Sequence, residues 1–138
     1  MKFLNYTKKN SIIVKTSNFK IYKGDNGVAI CIYPPIDWVG ARSPALEPPR
    51  KLFFARKADQ INDEQYEKGY REEVLSKLDP KNIYDQLQGQ VLLCWENPGE
   101  FCHRRIVSKW IFENLGIEVP EWMPGDDDVP ETKAKPLF

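Results

Sequence analysis

Cys94 and Cys102 stand at the two ends of a short turn, and the second opens the run Cys102-His103-Arg104-Arg105, which holds the chain's only histidine. A thiol at a helix start and beside cations loses its proton more readily, and the thiolate is the form that acts as nucleophile, redox group or metal ligand. Glu96 lies in the turn between the cysteines. It becomes a general acid or base if the sheet edge partly buries it, and is otherwise a plain surface carboxylate. The basic residues are the sharper anomaly. A helix's first turn presents unpaired N–H groups and a positive dipole end, so cations are disfavoured there. Two guanidinium groups and an imidazole in that turn need a compensating negative charge. A phosphate or carboxylate ligand held by Arg104 and Arg105 provides it; so does pairing with Glu96, Glu100 or other acids of the chain.

Spacing sets other chemistries aside. A phosphatase-type loop needs an arginine where Ser108 follows Cys102 and Glu100 follows Cys94. A single histidine followed by arginine does not fit a zinc deaminase. As zinc ligands, Cys94, Cys102 and His103 offer two sulfurs and one imidazole, but adjacent Cys-His is poor ligand spacing and no C-x-x-C occurs. No metal and no other cofactor is expected. Cys31, inside an apolar run, reads as a buried inert thiol.

These residues need elements to position them. Gln90 to Trp95 reads as a strand, Glu96 to Phe101 as a turn, and Cys102 to Leu115 as a helix stopped by Gly116, with Ile106, Val107, Trp110, Ile111 and Leu115 as its apolar stripe. Upstream, Ser11 to Lys15 and Gly27 to Tyr33 are short apolar runs with the look of buried strands, and Thr16-Ser17-Asn18-Phe19 supplies cap and turn residues between them. Asn62 caps a helix whose Tyr66, Tyr70, Val74 and Leu78 share one stripe, with Arg71 beside it facing the site. Asp79-Pro80 opens a further helix through Leu87, which Gly89 stops, and Ile117 to Val119 is a last strand. Residues 34–50 hold Pro34, Pro35, Pro44, Pro48 and Pro49, forming a stiff arm that either walls the site or merely crosses the sheet edge. Strands alternating with helices predict an α/β single domain over residues 1–123, a mainly parallel sheet of about four strands flanked by helices, with ligands beyond the carboxyl ends of the strands. Residues 124–138 have little to bury and read as a mobile tail.

Composition bounds the function. Twenty basic residues balance twenty acidic ones, so no global field holds the protein on nucleic acid or an anionic membrane. No signal-peptide core or spanning apolar stretch is present, and three cysteines do not make an even disulfide framework, so reduced thiols in a cytoplasmic protein are expected.

The run Val91 to Val107, followed by Trp110 and Gly116-Ile117-Glu118-Val119, resembles the carboxyl-terminal signature of the DUF488 family, in which an apolar strand ends in Cys-x-Glu and a short turn leads to Cys-His-Arg. Two further segments look like the same family: Thr16 to Phe19 before Gly27 to Ile30, and Tyr66 to Leu78 before Asp79-Pro80. The resemblance implies a site containing Cys94, Glu96, Cys102, His103 and Arg104, and, by weaker matches, Thr16, Ser17, Arg42, Tyr70 and Arg71. It supplies no reaction, because the family's function is undefined. The expected function is therefore binding of a small phosphate- or nucleotide-type anion at the helix start, with Cys102, Glu96 and His103 as reactive or proton-transfer groups. The alternatives are a nucleic-acid or protein-binding module presenting Trp38, Arg42 and Arg50 from the proline-rich arm, and a zinc domain.

Overall fold

The computed structural model of the chain describes residues 13–126. Strands β1 (Lys15–Asn18), β2 (Gly27–Ala29), β3 (Ala41–Arg42) and β4 (Val91–Cys94) form one all-parallel sheet in the order β1-β4-β2-β3. Helices α1 (Arg50–Lys57), α2 (Asp63–Glu73), α3 (Pro80–Leu87) and α4 (His103–Leu115) complete a small α/β domain. All four residues of β4 are buried, as an interior parallel strand requires. Asn18 pairs with Cys94 and Ala29 with Leu93, so β1, β2 and β4 end level at one edge of the sheet.

Period-two alternation divides the core. Leu92, Val28 and Ile30 pack with Tyr66, Tyr70, Ile83, Leu87, Ile106 and Trp110 from the helices. Val91, Leu93 and Ala29 face a smaller cluster containing Phe19, Tyr22 and Trp122, with Cys94 and Cys102 at its end. Helices therefore cover one face, and loop aromatics cover the other.

Local signals set most helix ends. Asn62 and Gln65 make a reciprocal capping box on α2, Asp79 accepts from the Asn82 N–H with Pro80 in the first turn of α3, and Gly116 takes a left-handed φ of 71° after α4. The stripe expected to continue to Leu78 ends earlier: α2 stops at Glu73 and a 3-10 turn covers Leu75–Lys77.

Three expectations are corrected. The Thr16-Ser17-Asn18 segment is strand rather than turn, because its buried polar side chains find partners across the fold: Thr16 donates to Glu121, Ser17 to the Trp122 carbonyl and Asn18 to the Glu96 carbonyl. Ile117 to Val119 is not a strand. The ladder pairing with β1 is limited to a single parallel bridge between Thr16 and Glu121, and the adjacent Pro120 has no N–H to extend it. The proline-rich arm is also not a bare loop: it holds β3 and a 3-10 turn at Pro44–Leu46, and Pro49 caps α1, an element without an apolar stripe to announce it. The expected strand start at Ser11 and Ile12, and the tail from residue 127, lie outside the described residues. Among the described residues no helix is long and apolar enough to cross a membrane.

The arm is tied to the helical layer by Tyr70, fully buried, whose hydroxyl donates to the Leu46 carbonyl at 2.7 Å. Tyr70→Phe leaves that buried carbonyl without its donor, and a loss of about 1–3 kcal/mol is expected in urea unfolding at unchanged m-value.

Candidate dithiol site at the sheet edge

Cys94 is the last residue of β4 and Cys102 is the N-cap of α4, so the strand delivers one sulfur and the helix start the other. The connecting turn reverses at Gly99, whose φ of 91° suits glycine, and is held by the Asn97 N–H donating to the Glu100 carboxylate. The two sulfurs meet in a disulfide, with Cα atoms 7.7 Å apart. The expectation of reduced thiols left open whether Cys94 and Cys102 approach closely enough to bond, and the fold brings them together. Only Cys31 is free.

Arg104 is fully buried. Its Nη1 donates to Cys94 Sγ at 3.2 Å, while Nε and Nη2 donate to the two carboxylate oxygens of Glu121 at 3.2 and 2.6 Å. Arg105 donates to Thr16 Oγ1 and to the Val119 carbonyl, and its guanidinium stands 3.7 Å from Glu121. The charge anomaly of the helix start is thus compensated from within. The compensating acid is neither Glu96 nor Glu100 but Glu121, which the strand-like segment beside β1 carries to the far side of the helix start. Neither arginine is among the residues lining the cavity described below; both are engaged with Glu121 and its neighbours.

His103 is buried against the ends of the strands. Its Nε2 lies 2.7 Å from the Ile30 carbonyl. A carbonyl only accepts, so Nε2 carries the proton and donates, which leaves Nδ1 as a lone pair, 4.0 Å from Cys102 Sγ. Burial pushes the His103 pKa down to about 4, with the Arg104 charge a lesser cause, so the ring is neutral at pH 7. Tyr70 packs edge-on against it at 5.4 Å.

Cys94, Glu96, Cys102 and His103 line one cavity of about 360 Å³ beyond the carboxyl ends of the strands. Sequence reasoning brought those four together with Trp95 and offered the proline-rich arm as a wall, of which Pro48 lines the cavity; it missed Tyr66, Phe101 and Cys31, and Arg56 and Lys57 of α1. Burial raises the Cys31 thiol to about 11, so it stays protonated, as expected of an inert thiol. Arg56 is held by Asp59 and Asp63 at 3.0 and 2.8 Å, and Lys57 Nζ sits over the Phe53 ring.

The remaining expected residues lie elsewhere. Thr16 and Ser17 bind the Glu121–Trp122 segment. Tyr70 serves the core. Arg71 pairs with Glu67 and Glu113, tying α2 to α4. Arg42 donates to the Ile32 carbonyl and to Glu47. The arm's aromatic and basic residues are engaged too: Trp38 donates to the Ala41 carbonyl and packs on Phe19, and Arg50 lies over Tyr33.

Fold and site together define a small α/β protein with a cysteine pair and a neutral histidine at the carboxyl edge of a parallel sheet. Set against protein-family models, curated proteins and solved structures, the chain matches none.

Proposed function

We propose that the protein binds a small ligand with a negatively charged end in this cavity and that Cys94 and Cys102 are its reactive groups, cycling between disulfide and dithiol. The observation that carries the reading is two bonded sulfurs lining a cavity, one contacted by a buried guanidinium and the other capping a helix. A guanidinium N–H and a helix N-terminus each stabilise negative charge on a sulfur beside them. In the disulfide state an incoming thiolate attacks Cys102 Sγ and forms a new S–S bond. The electron pair of the broken bond leaves on Cys94 Sγ, where the Arg104 N–H stabilises it. A second thiolate of the same partner displaces Cys102, so the partner is oxidised and the pair reduced by two electrons. The anionic end of the ligand is drawn by the α4 dipole and by Lys57 at the cavity wall. Kinship with the DUF488 proteins, on the run Val91 to Val107, belongs to the same proposal.

Alkylation of the reduced protein at pH 7, in chelator and followed by mass spectrometry, tests it. Cys94 and Cys102 are expected to react at least about tenfold faster than the high-pKa Cys31, and Cys94→Ser to trap a mixed disulfide on Cys102. Equal, slow labelling of all three cysteines would sink the thiol role. In a thermal-shift screen against small phosphates and carboxylates, stabilisation by a ligand is expected to weaken in Lys57→Ala; the absence of any anion-dependent shift would remove the charged end from the proposal.

A further inference from the structure

We infer that the reduced form of this site is a zinc site, with Cys94 Sγ, Cys102 Sγ and His103 Nδ1 as protein ligands and a fourth position open to the cavity. The three donor atoms lie within 4.8 Å of one another, and all three residues are buried. Proximity alone is common among cysteines; the orientation of the histidine ring is what points to a metal. Its Nε2 lies 2.7 Å from the Ile30 carbonyl, a contact a ring nitrogen makes as donor, which turns Nδ1 toward Cys102 Sγ at 4.0 Å. This is the outer-shell arrangement by which ligating histidines are oriented and held in one tautomer. Arg104, donating to Cys94 Sγ at 3.2 Å, is a second outer-shell partner and offsets thiolate charge.

The backbone spacing suits an ion between the sulfurs. Two thiolates on one tetrahedral zinc at about 2.3 Å stand roughly 3.8 Å apart, and Cα atoms 7.7 Å apart leave room for that separation once the disulfide is reduced. Two sulfurs and one imidazole select a borderline-soft ion such as Zn²⁺ over Mg²⁺ or Ca²⁺. Three protein ligands with one open position is the pattern of a reactive rather than a structural zinc site, and here all three ligand residues line the same cavity. The adjacent Cys102-His103 pair, poor ligand spacing on a regular helix, converges because Cys102 is extended, with φ −158° and ψ 145°, while His103 begins the helix. Disulfide and metal are mutually exclusive, since zinc needs both thiolates.

This inference uses the same side chains as the proposed function but neither its ligand nor thiol exchange. Exchange is measured in chelator, and metal binding without a thiol partner, so each fails separately. The full chain, reduced with a phosphine under argon, is titrated with Zn²⁺ against a chromophoric chelator, and with Co²⁺ as a spectroscopic stand-in. One ion per chain, proton release, and tetrahedral cobalt bands with thiolate charge transfer are expected for the reduced protein, and no binding for the disulfide form. That comparison needs no substitution. Cys31→Ser should bind as the wild type does. His103→Ala should lose more than the roughly 10–100-fold that removal of an outer-shell partner costs. Absence of stoichiometric binding by the reduced wild type, equal binding by the oxidised form, or undiminished affinity in a folded His103→Ala variant would each overturn the assignment.

Discussion

Arg104→Met is expected to destabilise the protein by about 3–5 kcal/mol, because removing one partner of a buried ion pair leaves the other charge uncompensated. The side chain of Arg104 is 1% exposed and that of Glu121 18%. Glu121 would lose both Arg104 N–H donors, and Cys94 Sγ the charged donor beside it. Thr16 and Arg105 remain near the stranded carboxylate, and its partial exposure admits water, so the lower half of the range is expected. The paired change Arg104→Met/Glu121→Met should recover most of the loss, since apolar replacement of both members of a buried pair is often neutral. Urea unfolding of both single variants and the double variant, analysed as a cycle, measures the coupling. If the double variant is as unstable as the sum of the singles, Glu121 is not the compensating charge and the account of the helix start fails.

The second large effect is on pH dependence. His103 has a folded pKa near 4, depressed by burial, against an ordinary value of 6.5. The unfolded chain therefore binds a proton that the folded chain refuses between those values. Stability from this group is complete above pH 6.5 and is lost as pH falls toward 4, at up to about 1.4 kcal/mol per unit and about 3 kcal/mol in all. Carboxylates titrate in the same window, so the quantity to measure is the difference between wild type and His103→Gln in the disulfide form, free of metal. Glutamine can still donate to the Ile30 carbonyl but takes up no proton. The wild type should lose stability more steeply between pH 6.5 and 4.5; parallel curves would mean that His103 is accessible to water and charged in the folded protein.

Both effects arise where an anomaly legible in the sequence meets a partner that is not. A helix beginning His103-Arg104-Arg105 announces uncompensated charge from composition and the helix dipole alone. Which negative group answers it depends on bringing residue 121 against β1, and nothing local to Glu121 signals that position. The same holds for His103, whose proton position is set by a carbonyl 73 residues away.

What the sequence by itself determined is what depends on neighbours along the chain. Period-two and apolar-run patterns located β4; Asn62, Asp79-Pro80, Gly89 and Gly116 marked helix ends; alternation of strands and helices implied the parallel sheet. Cys94, Glu96, Cys102 and His103 were legible as one site because a single strand-turn-helix unit carries all four to the same edge. The tertiary structure alone decided the rest. Thr16-Ser17-Asn18 has turn composition and becomes strand because β4 offers it a ladder and remote groups satisfy its side chains. Helix α1 and strand β3 are hidden by prolines and by the lack of an apolar stripe. The meeting of the two sulfurs, the tautomer of His103 and the withdrawal of Arg104 from the cavity follow from contacts between segments distant in sequence, whose energy rests on geometry that no local pattern encodes.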